Sequence, residues 1–581
     1  MTTTRFAAWM MKSRPCDHAG RVHFAQSARA KGLTVSVTDD GLLVAASGAA
    51  SATTSAILVG ELFDRATGNP LSGRDIAALL ARPEANRRIV EQCWGDYIMF
   101  HADAEASMAL RAPFGDVPCY WSDLGDRVVV ASTIELLRCF GAPSPAVDCA
   151  EVARFLTATD YRGGATCLAG IAELQGGEAL QVSDKRVTTR WAWSPWALLP
   201  GSRRSVKTEA AAARVRDAVV AAVEARASGS APVILLMSGG LDSSIVAAAL
   251  AHAGRSALGL TMVTDDADGD ERAYARAVAE QLGIPLTEAR RALADVDLAR
   301  PLSPRLPRPT GRPFAQSTDA AVAALAGAHG VEVAMNGGGG DNMFCSLQSP
   351  APLLDRIACE GLGRGAWATL RDTAELANVS VGAVARAAMH RRLSRGPAFR
   401  WPLDRSFLNQ GRDLEPTGMR SHHWLAPPAG ALPGECAQVA LLLAAKALVE
   451  NVERDQHPFV RSPLVAQPVA EAVLAAPSWL WLERGRNRAV ARRAFADTLP
   501  GMVIDRRSKG TAASFMSQIV ESRRTTLRDL LLGGLLAQNQ VFDTAAVTAW
   551  LEAAGPARDL GFARILQLAD AEAWARSWTA R

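Results

Sequence analysis

Two short runs hold the residue types and spacings that could do chemistry in this chain. The first is LLMSGGLDSS, Leu235–Ser244, where an apolar run breaks at Ser238-Gly239-Gly240 and resumes as Leu241-Asp242-Ser243-Ser244. A strand, a glycine turn and a helix start in that order make an anion site. The glycines let the backbone turn tightly, and the unpaired N–H groups of the helix start face an incoming phosphate. Hydroxyls of Ser238, Ser243 and Ser244 add hydrogen-bond donors, with Met237 and Leu241 flanking them. Asp242 would repel a bare phosphate, so its presence implies a bridging Mg²⁺. GK[ST] is absent, so the loop is not a Walker A motif, and G-x-G-x-x-G is absent, so it is not a dinucleotide fingerprint. By itself, a Ser-Gly-Gly after a strand is as readily a plain turn.

The second run is AMNGGGGDNMF, Ala334–Phe344. Its apolar start ends in Asn336 and four glycines, Gly337 and Gly338 first, and Asp341 follows. Glycine excess followed by a carboxylate fits a second backbone cradle with a second metal contact, although a flexible turn is the plainer reading. Between the two runs, Glu271 heads the helical pattern GDERAYARAVAEQLGIPL, where the helix dipole alone also favours an acid. Val263 closes the apolar run ALGLTMV, and Arg461 and Lys509 are cations in later segments.

Elements must bring these residues together. The first two hundred residues read as short strands, such as AILVGELF, DYIMFHAD and DRVVVASTI, punctuated by Gly, Asp and Pro. A Pro/Gly/Ser/Arg stretch around 194–206 suits a linker, which predicts domains over 1–200 and 206–581. Beyond it, PVILLM precedes LDSSIVAAALAHAG, ALGLTMV precedes ERAYARAVAEQLG, and VEVAMNG follows STDAAVAALAGAHG. That alternation predicts a doubly wound parallel sheet with helices on both faces, and the pattern after about residue 350 is almost wholly helical. The fold class expected is α/β, with an N-terminal β-sandwich before the parallel sheet.

Composition narrows the function classes. The 581 residues are 49% hydrophobic and 21% charged, with 63 basic against 59 acidic side chains. So small an excess argues against wholesale nucleic-acid binding. The nine cysteines are scattered without a CxxC pair or zinc spacing, as expected of reduced thiols in a cytoplasmic protein. The start MTTTRFAAWMMKSRP has too short an apolar core for a signal peptide, and no run reaches membrane-span length.

The SGGLDSS string resembles the pyrophosphate loop of the ATP-pyrophosphatases, which cut ATP between its α and β phosphates to make an acyl-adenylate. NGGGGDNMF is similar, in order and register, to the Ser-Gly-x-Gly-x-Asp-Glu-x-Phe segment of the asparagine synthetase family. Glu271 falls on the acidic residue leading that family's helix. Further on, Arg461, Pro463 and ADTLPGMVIDRRSKG follow its closing pattern. The resemblance implies ATP and Mg²⁺ as cofactors, Asp242 and Asp341 as metal contacts, and Lys509 stabilising the charge of the adenylate and of amine attack. It implies nucleotide contacts at Met237–Ser244, Val263, Asn336, Gly337 and Gly338, with Arg461 nearby. WGDYIMFHAD, RAPFGDVPCYW and VVVASTIELL look like a glutaminase sandwich, but Thr2 stands where the nucleophilic cysteine belongs and no glutamine-clamping segment matches. That domain is expected to be a scaffold.

Departures reshape the expectation. Gly338 and Asn342 stand where asparagine synthetases carry glutamates, and Ala466 replaces an aspartate. β-Lactam and carbapenam synthetases of this fold use a tyrosine–glutamate dyad, yet none of the four tyrosines lies in the segment that would supply it. The lasso-peptide macrolactam synthetases keep Gly-Gly-Asp with a non-glutamate upstream and a lysine beside small hydroxyl residues, as here. The resemblance therefore implies a lasso-peptide cyclase whose partners are a ribosomal precursor peptide, a leader peptidase and a leader-recognition protein. A small-molecule amide ligase and a non-catalytic scaffold are the alternatives.

Overall fold

The computed structural model describes residues 4–579 except 13–15, 40, 54, 83, 185, 200–205, 228–231, 265–268, 395–398, 455–457, 508–509, 511 and 554–560. The N-terminal part is a sandwich of twelve strands. They are β1 Arg5–Met11, β2 Thr34–Asp39, β3 Leu42–Ser47, β4 Ala50–Ala52, β5 Ala56–Asp64 and β6 Cys93–Ala102. The rest are β7 Ala106–Arg111, β8 Tyr120–Asp123, β9 Arg127–Ala131, β10 Ala172–Glu173, β11 Glu178–Ser183 and β12 Arg186–Trp191. Two six-stranded sheets result, in the orders β10-β8-β9-β1-β3-β2 and β12-β11-β7-β6-β5-β4. All of their pairings are antiparallel.

The central strands read as nearly continuous apolar runs because both faces of each sheet are covered there, whereas the edge strands β4 and β12 are largely exposed. Alternate residues of a strand point to opposite faces. In β1, Phe6, Ala8 and Met10 enter the core between the sheets, while Ala7 and Trp9 join a second core that includes Ile565 and Trp574 of the helix Gly561–Thr579. On the other sheet, Leu58, Tyr97 and Met99 face a third core with Val215 and Val219 of the helix Thr208–Ala227. The C-terminal helix thus completes the sandwich, and the halves do not separate cleanly in space. A buried ion cluster ties them further. Glu173 meets Arg111 at 3.2 Å and Arg162 at 3.0 Å, and Glu450 meets the same arginines at 3.0 and 3.2 Å. Arg308 also contacts Glu173. Burial alone would raise the Glu173 carboxyl, but the surrounding guanidiniums hold it well below the usual carboxylate range.

Within the described part of 194–206, Trp196 is buried and its Nε1 donates to the His423 carbonyl at 3.2 Å.

The second sheet system is parallel throughout: β13 Val233–Leu236, β14 Ala257–Val263, β15 Leu286–Arg290, β16 Val333–Met335 and β17 Phe459–Arg461, in the order β15-β14-β13-β16-β17. The expected doubly wound sheet is present. From β13 the chain moves outward to β14 and β15, then returns to lay β16 on the opposite side of β13. That reversal is a topological switch point, where a crevice opens beyond the carboxyl ends of the strands. Among the described residues, no helix is long and apolar enough to cross a membrane.

Candidate active site

The loops leaving β13 and β16 lie side by side because the strands pair directly, Leu235 opposite Met335. Gly239 turns with φ +68°, and a Cβ there would sit 2.5 Å from Cβ of Tyr274. The helix Leu241–His252 begins at once. Ser243 and Ser244 donate to the Gly240 carbonyl at 3.1 and 2.8 Å, while Ser238 Oγ lies 3.3 Å from Ser243 Oγ and accepts from the Gly240 N–H at 3.3 Å. The hydroxyls therefore stiffen the turn. Ser243 remains on the cleft wall, whereas Ser244 is buried beneath it.

The second loop packs directly on the first. A Cβ at Gly337 would lie 2.5 Å from the Ser243 nitrogen, and one at Gly340 would lie 2.6 Å from the Asp242 Cβ. Only glycine allows this approach. Asn336 Oδ1 accepts from the Gly338 N–H and from Ser462 Oγ, both at 2.8 Å. A Cβ at Gly338 would sit 2.7 Å from that oxygen, so a side chain there would have to displace the Asn336 amide from its hydrogen bonds.

Asp242 and Asp341, a hundred residues apart, reach one guanidinium nitrogen. Arg488 Nη1 lies 3.2 Å from both Asp242 oxygens and 2.5 Å from Asp341 Oδ1. Arg488 adopts φ +57° at the start of the short helix Ala489–Ala494. Arg492, one helical turn later, donates to the carbonyls of Asn487 at 3.1 Å, Arg506 at 3.0 Å and Ile504. Burial, aided by Arg488 and Arg486, pulls Arg492 down to about 10. Arg506 stacks 3.9 Å over the Tyr274 ring, pairs with Glu271 at 2.8 Å and donates to the Gly239 carbonyl at 3.3 Å. Glu271 also accepts from the Gly510 N–H at 3.0 Å. It is therefore a clasp on the closing segment rather than a solvated helix start.

These groups line a cleft of 380 Å³ that also takes in Leu260, Met262, Thr264, Arg291 and Thr318. Arg291, pulled down by burial, donates to Thr318 Oγ1 at 3.0 Å. The buried Nε atoms of Arg488 and Arg506 and the Thr264 hydroxyl have no hydrogen-bond partner among the described residues. Unsatisfied donors in a glycine-walled, cationic cleft suit a polyphosphate. No group of three or more metal-ligating side chains exists among the described residues. Two carboxylates nevertheless suit Mg²⁺, a hard ion that keeps waters and shares its shell with substrate phosphates.

The expected site set is thus partly assembled. Met237, Ser238, Gly240, Leu241, Asp242, Ser243, Glu271, Asn336, Gly337 and Gly338 line the cleft, and Asp341 joins it through Arg488. Gly239 and Ser244 shape the loop from behind. Val263 is buried behind the wall, because the alternation along β14 turns Met262 and Thr264 to the cleft instead. Arg461 does not reach the cleft. Its guanidinium donates to the Arg226 carbonyl at 3.0 Å and faces Glu61 at 3.8 Å, on the sandwich side. Lys509 and Thr2 lie outside the described residues. The sequence reading missed Arg291, Arg488, Arg492 and Arg506. The spacing R-x-x-x-R of Arg488 and Arg492, one helical turn, was the one local signal.

A crevice at a switch point, walled by two glycine loops and arginines, suits an anionic ligand on an α/β fold. The family model for asparagine synthase matches residues 214–576, more than half of the chain, and the chain belongs to the asparagine synthase family. None of the curated proteins matches in sequence. Among solved structures it is similar to the allosteric regulatory enzyme of purine biosynthesis, at 11% identity and TM-score 0.21, over 49% of this chain and 64% of that one. It is also similar to glutamine phosphoribosylpyrophosphate amidotransferase from B. subtilis complexed with ADP and GMP, at 12% identity and TM-score 0.21, over 49% of this chain and 65% of that one. This chain thus spans less than two thirds of either. At that TM-score neither likeness bears on fold or activity.

Proposed function

We propose that the protein is a lasso-peptide cyclase that adenylates an Asp or Glu side chain of a precursor peptide and closes it on the peptide's own α-amine. The observation that carries the reading is the cleft itself, where Asp242, Asp341 and Arg488 converge beside two glycine cradles. A carboxylate oxygen of the peptide attacks the α-phosphorus of ATP, the bond to the β-phosphate bridge breaks, and pyrophosphate leaves. The amine nitrogen then attacks the acyl carbon, the bond to AMP breaks, and one proton is released. The loop N–H groups, Ser238, Ser243, Arg488 and Arg506 hold the phosphates, with Lys509 assigned to charge that grows during amine attack. Asp242 and Asp341 would hold Mg²⁺, which neutralises phosphate charge when bound.

Two features favour an internal amine over ammonia or a β-lactam closure. Gly338 stands where asparagine synthetases carry a glutamate, and Asn336 and Ser462 fill the space in front of it. Of the four tyrosines, Tyr97, Tyr120 and Tyr161 are buried away from the cleft, and Arg506 covers the ring of Tyr274. An intramolecular amine held beside the adenylate gains a large effective concentration. The amine exists only after leader removal, so a precursor peptide, a leader peptidase and a leader-recognition protein are the proposed partners. The test incubates protein, ATP, Mg²⁺, precursor and peptidase, and weighs the core peptide. Loss of one water with AMP and pyrophosphate release is expected. Amidation of free aspartate by ammonia, with no peptide losing water, would replace this reading by the small-molecule one.

A further inference from the structure

Exposed apolar side chains are concentrated in one helical pair of this molecule. Of the nine large ones exposed among the described residues, Leu362, Trp367, Val379, Met389 and Leu393 fall within one short span. Trp367 and Leu393 are 60% and 73% exposed. The span contains the helices Arg364–Ala377 and Val381–Leu393. Three residues join them, and the two helices pack against each other. Their inner faces are already satisfied, with Ala366, Ala374, Val384 and Ala388 packed on Leu353 and Leu354. The apolar residues on the outer face therefore have no role in the pair's own core, and a cluster of this kind marks an interaction site.

Charge narrows the occupant. Residues 361–394 contain five arginines against Asp372 and Glu375, and Val381–Leu393 has no acid at all. Arg386, His390 and Arg392 are exposed on it. Its basic residues crowd into the last turn, His390, Arg391 and Arg392. A helix lying in a lipid surface spreads its cations along a polar face and offers one long apolar stripe. Here the apolar groups come from two helices and a preceding loop, and the cations sit at one end, which suits a discrete acidic cluster on a protein.

The rear of this surface is fastened to the cleft wall. Glu375 pairs with Arg507 at 3.0 Å, and a Cβ at Gly485 would meet the Glu375 Cδ at 2.3 Å. Gly485 turns the hairpin of β18 Leu482–Glu483 and β19 Arg486–Asn487, which delivers Arg488 to the two carboxylates. We propose that the outer face of these two helices is a docking surface for an acidic, apolar-bearing segment of a partner protein, seated on the frame that carries Arg488. Only the partner's role, delivering the peptide, rests on the proposed function.

The test uses the full chain and a labelled synthetic peptide about 16 residues long, with Leu and Phe at i, i+3, i+4 and i+7 and Glu elsewhere. Fluorescence anisotropy should show saturable binding, weakened about tenfold or more by Trp367→Ser/Leu393→Ser, by Arg386→Glu/Arg392→Glu, and by high salt. A Lys-for-Glu version of the peptide should not compete. All these side chains are exposed, so the melting temperature should hold. Failure of the acidic peptide to bind, equal competition by the Lys peptide, or insensitivity to both double variants overturns the proposal. So does binding of phosphatidylglycerol vesicles through these residues without peptide binding. The readout involves no catalysis, so it is independent of whether any peptide is cyclised.

Discussion

Replacing Arg488 with alanine should move metal affinity and catalysis in opposite directions. Arg488 Nη1 lies 3.2 Å from Asp242 and 2.5 Å from Asp341, with side-chain exposures of 12%, 10% and 37%. At about 3 Å and an effective dielectric of about 20, the gross attraction is roughly 5 kcal/mol. Desolvation of the guanidinium and Asp242 takes back most of it, and Asp341 is exposed enough for solvent to screen its share. A net of about 1–2 kcal/mol is reasonable. A divalent cation entering between the carboxylates must displace this guanidinium and forfeits that amount. Arg488→Ala should therefore bind Mn²⁺ about five- to thirtyfold more tightly in the absence of nucleotide, at 1.4 kcal/mol per decade. Titration followed by electron paramagnetic resonance reads this directly. ATP–pyrophosphate exchange should meanwhile fall by about two orders of magnitude, the usual cost of removing a charge contact to the reacting phosphates. Arg488→Lys should sit between the two. If the alanine variant binds Mn²⁺ no more tightly, the guanidinium and the metal do not share a site, and the reasoning fails.

Other perturbations have equally definite outcomes. Glu271→Ala removes the ion pair to the buried Arg506 and the acceptor for Gly510, so turnover should drop at least about tenfold and the melting temperature should also fall, as melting and rate measurements together would show. Lys509→Ala should lose roughly 3 kcal/mol of transition-state stabilisation, about a hundredfold in amide formation, and keep its ATP affinity by calorimetry. Thr2→Ala should leave the synthetase reaction unchanged, and no glutamate should be released from glutamine by either form. Burial, with Lys446 and His423 nearby, pushes His422 down to about 4. The unfolded chain binds that proton more readily, so His422 contributes stability that is complete above about pH 6.5 and lost as pH falls towards 4, roughly 3 kcal/mol in all. His422→Gln should flatten that segment of the stability–pH curve relative to the parent.

Much of this site could be read from the sequence because a phosphate cradle is a local object. The strand end, the glycines and the helix start that make it are consecutive residues, and their types are restricted by backbone geometry. The two cradles meet because β13 and β16 are neighbours, which the alternation of strands and helices implies without saying which strands pair. The arginines were not legible in the same way. The chain has 63 basic residues, and nothing local distinguishes Arg488 or Arg506 from the others until the fold brings them to Asp242 and Glu271. Arg461 shows the converse. It matches a family position, yet it pairs in register with Met335 as the last residue of β17, and its side chain leaves on the sandwich side. The side chain of Val263 follows the same period of two, which turns its neighbours to the cleft.

Glu271 shows how little of a contact a local reading conveys. The helix dipole explains an acid at that position, and an exposed acid would have satisfied it. What the sequence could not convey is that the closing segment returns, 239 residues later, to place the Gly510 N–H and the Arg506 guanidinium on the same carboxylate. A Cβ at Gly510 would lie 2.6 Å from Glu271 Cγ, so both ends of the contact are restricted, one to a carboxylate and the other to glycine. Lys509 immediately precedes that glycine. The clasp fixes the chain next to the lysine, and through Arg506 it also reaches the carbonyl of Gly239 in the first cradle. On the proposed reading, the segment assigned to amine attack is thereby tied to the loop assigned to phosphate.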